Sequence, residues 1–223
     1  MSVLNLSRED IIQIAGKLGV EPAAVQAVFE VEAASAPFLP VPSKTPRGED
    51  VSGQPKILFE PHVFWKQLRQ CNYNPANLLS RSDVRKIHGD ITDILYPKQG
   101  SRPYGSLASQ YDRLWRARAI NADAANASAS WGAFQVMGYH AVPGAGSLDL
   151  GWPSLDQFVQ DMFTISGQAR AFTQYIKKSG LIPALKSKNW AAFARGYNGA
   201  SYVKNKYDQK MAQAYAVALK QGF

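Results

Sequence analysis

The stretch EPAAVQAVFEVE, Glu21 to Glu32, ends an apolar run on an acid. Pro22 suits the first turn of a helix, and no Gly or second Pro interrupts the run after it. At about 100° per residue, Val25, Val28 and Phe29 share one face. Glu32 lies seven, four and three residues after them, so it falls on the same face. Glu30 points the other way, beside Gln26, as a solvated helix residue. An acid that closes a core-facing stripe is either paired to a structural partner or held in a cleft with a raised pKa. The helix by itself leaves both readings open.

Bulk composition narrows the rest. The chain has 223 residues, of which 46% are hydrophobic, enough to bury a full core as one domain, or one domain with a small lobe, and a single catalytic domain over 1–223 is expected. Lys and Arg number 25 against 17 Asp and Glu, a net charge of +8. Such a surface attracts polyanions: nucleic acid, anionic lipid or an acidic wall polymer. Nucleic acid is disfavoured, because the sequence has no RNP motif, zinc finger or basic base-reading helix. Cys71 is the only cysteine, which excludes an intrachain disulfide. It carries no nucleophile signature, and a plain buried or half-buried thiol is expected. His62, His88 and His140 fall in no metal-ligand spacing, so neither metal nor cofactor is expected. MSVLNLSRED lacks a basic segment followed by an apolar core, and no stretch is long enough to span a membrane. Cytoplasmic synthesis without a signal peptide is therefore the expectation.

Along the chain, Ser7-Arg8-Glu9-Asp10 has the form of a capping box, opening a helix that Gly19 can close. Residues 36–55 hold five prolines, at 37, 40, 42, 46 and 55. That is long for a connector, and long loops in compact domains usually carry function. Lys56-Ile57-Leu58-Phe59 reads as a short strand, half of a small hairpin. FEPHVFWKQLRQ predicts a helix with Phe64 and Leu68 buried. Residues 74–103 are weakly patterned, with turn signals in YPKQGSRPYGS. An amphipathic helix is predicted over Leu107–Arg118, and the small residues of NADAANASAS imply close helix packing. Ser154 is placed to cap one long helix reaching Lys178, closed near Gly180. Helices from about Trp190 to Tyr197 and from about Val203 to Gln221 complete the chain. The predicted class is mainly α, an α+β arrangement with a minor early β element and a long Pro-rich loop.

Three segments recur in a recognisable order: VEA (31–33) after the helix, GQPKILFEPHVF (53–64), and SWGAFQVMG (130–138), followed by ARGYNG (194–199). The chain resembles the N-acetylmuramidase family of phage endolysins and secreted effectors. That family sits within the lysozyme-like superfamily of goose-type lysozymes and lytic transglycosylases. The resemblance runs from about residue 10 to the C-terminus. One departure is Ala33-Ala34-Ser35-Ala36-Pro37, where the family usually has Gly-rich residues after its acid.

The resemblance implies a lysozyme-like fold and cleavage of the β-1,4 bond between N-acetylmuramic acid and N-acetylglucosamine in bacterial peptidoglycan, with Glu32 as general acid. The chemistry agrees: protonating a poor leaving oxygen requires an acid that keeps its proton near neutral pH. A hydrolase also needs a second carboxylate as base or nucleophile. Glu60 matches a motif position, while its structural reading stands about level, and Glu49 and Asp50 read more simply as solvated loop charges. A lytic transglycosylase needs no second carboxylate, because the muramyl 6-hydroxyl attacks. Ser130 reads as the cap of a helix it begins, or as a partner of Glu32. Gln135 is implied to meet a sugar N-acetyl or hydroxyl, and Tyr197 and Asn198 to line the saccharide cleft. His62 reads as a structural hydrogen-bonder, and Trp131, Phe134 and Met137 as core. The last helix shows Lys204, Lys206, Lys210 and Lys220 outside its apolar side, which reads first as a solvated basic face and second as one that engages an anionic envelope surface. A monomeric lysis enzyme is expected, released by a holin or a secretion apparatus. A non-catalytic wall-binding module is the alternative from another class.

Overall fold

The computed structural model describes residues 6–32, 36–100, 104–146, 148–200 and 202–223. The departure at 33–35 and part of the turn-rich segment at 101–103 lie outside them. In chain order come α1 (Arg8–Leu18), α2 (Pro22–Glu32), β1 (Ile57–Phe59), α3 (Pro61–Gln70), α4 (Pro75–Ser80) and α5 (Ser82–His88). Next are α6 (Leu107–Arg118), α7 (Ala122–Ala127), β2 (Ala129–Trp131), β3 (Val136–Met137) and a single 3-10 turn, Gly138–His140. The chain closes with α8 (Leu155–Asp161), α9 (Ile165–Lys178), α10 (Ile182–Lys186), α11 (Trp190–Asn198), α12 (Tyr202–Asn205) and α13 (Tyr207–Lys220). These form two compact units, one from the N-terminal residues to Pro37 plus Thr164–Phe223, the other Phe38–Phe163.

In the first unit, α1 opens on the expected capping box: Ser7 Oγ accepts from Asp10 N, and Asp10 accepts in return from Ser7 N at 2.8 Å. Gly19 closes it with φ 65°, a left-handed conformation glycine adopts without strain. Ala24, Val25, Ala27 and Val28 of α2 are fully buried, and α2 packs along α13, with α1 and α11 completing the layer. Glu30 lies on the outer side, accepting from Gln26 Nε2 at 2.7 Å.

The second unit is built on a three-stranded antiparallel sheet in the order β1-β2-β3. Ile57 pairs with Trp131, and Trp131 with Val136, so β2 is central. Phe59 and Phe64 sit 5.7 Å apart behind β1, while the rings of Trp131 and Trp152 meet the edges of Phe158. The Pro-rich stretch is ordered: it closes on itself at Phe38–Pro55 and again at Lys44–Asp50. Arg47 Nε pairs with Asp112 of α6 at 2.8 Å, and Tyr111 Oη donates to the Pro55 carbonyl at 2.7 Å.

Four expectations are corrected. SWGAFQVMG makes no helix: β2 and β3 form a hairpin whose turn is set by positive φ at Gly132 (71°) and Gln135 (50°), so Ser130 is a strand residue and caps nothing. The helix foreseen over residues 155–178 is two, because Thr164 is extended and its Oγ1 accepts from Gly167 N at 3.0 Å, capping α9 afresh. Apolar residues keep their helical spacing across that break, so periodicity cannot reveal it. The last helix is also divided, at Lys206, whose φ of 53° is left-handed. Cys71, at the end of α3, is exposed rather than buried.

Candidate functional site

Of the six candidate residues, Glu32, Tyr197 and Asn198 belong to the first unit. Glu32 ends α2, and Asn198 ends α11 just before Gly199, whose φ of 76° turns the chain away. Asn198 Nδ2 donates to Glu32 Oε1 at 2.7 Å. The carboxyl is half-buried, and burial pushes its pKa up from the ordinary glutamate range, with the Asn198 hydrogen bond opposing the shift in part. Tyr197 anchors the same end of α11: its ring stacks on Phe193 at 5.7 Å and takes the edge of Tyr175 at 5.4 Å. Its hydroxyl is pushed well above the usual phenol range by burial and then by the nearby Glu32 charge, so it stays protonated. The acid is thus half-buried beside phenolic groups and held by a neutral amide, an arrangement that favours the protonated form and suits a proton donor.

Because the Asn198 amide favours the ionised form, Asn198→Ala is expected to raise the Glu32 pKa further. An acid catalyst fails as pH rises through its pKa, so the alkaline limb of the pH profile for wall clearance should move to higher pH. An unmoved or lowered limb would contradict the pairing.

In the second unit, Glu60 precedes α3 and accepts from Tyr104 Oη at 3.0 and 3.3 Å. His62 Nδ1 stands 3.2 Å from Glu60 Oε2. That distance would allow an ion pair, yet burial, then Lys66, lowers the His62 pKa, while burial raises that of Glu60. We therefore assign a neutral imidazole donating its Nδ1 proton, in agreement with the structural role read from sequence. The Tyr104 hydroxyl, pushed up to about 12 by burial and by Glu60, remains a donor throughout the working range. Tyr104 carried no sequence signal, since it lies 44 residues from Glu60.

Ser130 and Gln135 face each other across the hairpin. Ser130 Oγ donates to Gln135 Oε1 at 2.8 Å, and Gln135 Nε2 donates to the Gly132 carbonyl at 2.8 Å and, more weakly, to Lys56 O at 3.4 Å. These bonds offset the cost of holding a non-glycine residue at positive φ, on the order of 1 kcal/mol. Glu49 and Asp50 close their own turn: Thr45 Oγ1 donates to Glu49, and Ser52 N to Asp50 at 2.9 Å. Those bonds hold both carboxyls below their usual range. Trp131 and Phe134 are buried and Met137 half-buried. His140 is buried, which pushes its pKa down to about 4. Among the described residues no cluster of three or more His, Cys, Asp or Glu could hold a metal ion, and no helix is long and apolar enough to cross a membrane.

A mainly helical chain with a small three-stranded antiparallel sheet is consistent with a lysozyme-like α+β fold. The N-acetylmuramidase family model matches residues 21–218, and the chain belongs to that family: it is a glycoside hydrolase acting on peptidoglycan. Among solved structures it is similar to the endolysin of the Burkholderia phage AP3, with 32% identity and a TM-score of 0.80 over 99% of this chain and 74% of that one. No curated protein matches it.

Proposed function

We propose that the chain, as a single catalytic domain over 1–223, is an endolysin-type muramidase that hydrolyses the β-1,4 bond after N-acetylmuramic acid, with Glu32 as general acid. The observation that carries this reading is the half-buried Glu32 carboxyl, its pKa raised by burial and its orientation fixed by Asn198. Asn198 and Tyr197 shape the saccharide site around it. Ser130 and Gln135 are proposed substrate contacts, since the half-exposed Gln135 Oε1 accepts only one proton from Ser130 and keeps a lone pair for a sugar hydroxyl.

For the second carboxylate we take Glu60. Glu49 and Asp50 are tied into their own turn, whereas Glu60 is half-buried and presented by Tyr104 and His62. Access to the wall through a holin or a secretion apparatus, as a monomer, and attraction of the net charge of +8 to the anionic envelope complete the reading.

Mass spectrometry of digested walls tests the reaction type. Reducing muramic acid ends are expected, and their loss in Glu60→Gln with the melting temperature preserved. Products with 1,6-anhydromuramic ends, formed equally well by Glu60→Gln, would make the enzyme a lytic transglycosylase instead.

A further inference from the structure

Within the second unit, a cavity of about 270 Å³ opens between one face of α3 and the 138–146 segment. Its first wall is a stripe of α3: His62, Lys66 and Gln70 follow one another at four-residue steps, each about 6 Å further along the helix. His62 starts that stripe 3.2 Å from Glu60, which sets the cavity beside that carboxyl. The facing wall is Tyr139, with Ala145 and Gly146. Gln67 Nε2 donates to the Ala145 carbonyl at 2.8 Å and so pins this segment to α3. Tyr139 is held by the His140 ring, 4.3 Å between centroids, and by Gly146, where an added Cβ would run into the Tyr139 ring and carbonyl. The walls are therefore set before a ligand arrives. Tyr139 also lies within the field of Glu60, whose charge adds to burial in raising the phenol pKa and keeps its hydroxyl a donor.

The lining is apolar on one side and charged on the other. Val63 and the Tyr139 ring give it an apolar side. Lys66 is exposed, and with His62 neutral it is the sole cation among the described lining residues, where no carboxylate stands. A small apolar wall beside one cation fits a short branched acid, which an uncharged sugar does not supply. N-acetylmuramic acid differs from N-acetylglucosamine in one such group, the lactyl ether on O3, a methyl next to a carboxyl. That arm leaves the same ring as the anomeric carbon, so a carboxylate serving that carbon needs the arm's pocket as its neighbour. We infer that this cavity takes the lactyl arm, with Val63 and Tyr139 covering its methyl. Lys66 donates to its carboxylate, or to its amide carbonyl where a stem peptide is attached. Lys66 is thereby a specificity residue, distinguishing muramyl from glucosaminyl units. The inference deepens the reading above and rests on Glu60 acting at the muramyl anomeric carbon.

The test compares two uncleaved disaccharides on the nitrogen-15-labelled full chain, followed by NMR titration. One is N-acetylglucosaminyl-N-acetylmuramic acid with its lactyl carboxyl free; the other is chitobiose, which lacks the arm. Wild type is expected to bind the muramyl disaccharide about ten-fold more tightly, from one apolar contact and one exposed ion pair, with shifts at the Tyr139 and Gly146 amides. The preference should shrink at high salt. Lys66→Gln, a change at an exposed position, should lose most of that preference while binding chitobiose as wild type does. Equal binding of the two disaccharides by wild type, an undiminished preference in Lys66→Gln, or shifts that spare Tyr139 and Gly146 would each overturn the inference. Failure of the Glu60 reading would show separately, as reducing muramic acid ends still released by Glu60→Gln, and would leave the measured preference as it is.

Discussion

Glu32→Gln is expected to abolish wall clearance, with a loss of about 10²–10⁴-fold in rate, the usual contribution of a positioned proton donor. The amide keeps the shape of the carboxyl and an oxygen for Asn198 Nδ2, but it has no proton to give. Stability should move the opposite way. A carboxyl whose pKa is raised by folding contributes stability that is fully present below its unfolded pKa and is lost as pH rises through the folded value. Above that unfolded pKa the carboxyl ionises more readily in the unfolded chain than in the fold, which weakens the native state, and the variant is relieved of that cost. Thermal melts should place Glu32→Gln at or above wild type at pH 7, with the difference shrinking toward pH 4. Zymography on purified walls showing clearing like wild type would refute the assignment.

The largest effect on stability is expected at Gly138, the last residue of SWGAFQVMG. A Cβ there would collide with the Asn126 carbonyl oxygen and lie 3.0 Å from its carbon and 3.1 Å from Ala127 Cα. These are backbone atoms of α7, which cannot swing aside as a side chain can. The same carbonyl also accepts from Trp131 Nε1 at 3.1 Å, so moving it breaks a buried hydrogen bond. Overpacking of this kind costs about 1–3 kcal/mol, occasionally more. At roughly 2–4 °C per kcal/mol for a chain of this size, Gly138→Ala should lower Tm by on the order of 10 °C. Gly16→Ala is the control: it lies inside α1 with nothing within 4 Å of the added methyl, and should raise Tm slightly. Equal melting of the two variants would contradict this packing.

What could be read from sequence was what a local period or cap encodes. The α2 stripe places Glu32 on the apolar side because helical geometry is fixed by spacing, and the Ser7 box and the bounds of α6 obey the same rules. Partners distant in sequence were not legible. Asn198 lies 166 residues from Glu32, and only the fold makes its amide the donor that orients the acid. The hairpin at 129–137 was missed because only one of the two residues that turn it, Gly132, is a standard turn former, while Gln135 is held at positive φ by its own side-chain bonds. Thr164 broke a helix whose apolar rhythm continued across it, and Lys206 did the same without any Gly or Pro to announce it. The Pro-rich stretch was legible as a loop, while the Arg47–Asp112 pair that ties it to α6 was not.

The central claim is that Glu32 holds its proton into the range where the wall is cut. Carbon-13 NMR of the labelled Glu32 side-chain carboxyl, titrated in the intact protein, measures this directly. The expected midpoint lies above the ordinary glutamate value of 4.5 and rises further in Asn198→Ala. A midpoint at or below 4.5 would mean the residue is already ionised where a proton donor is required, and the general-acid assignment would fall.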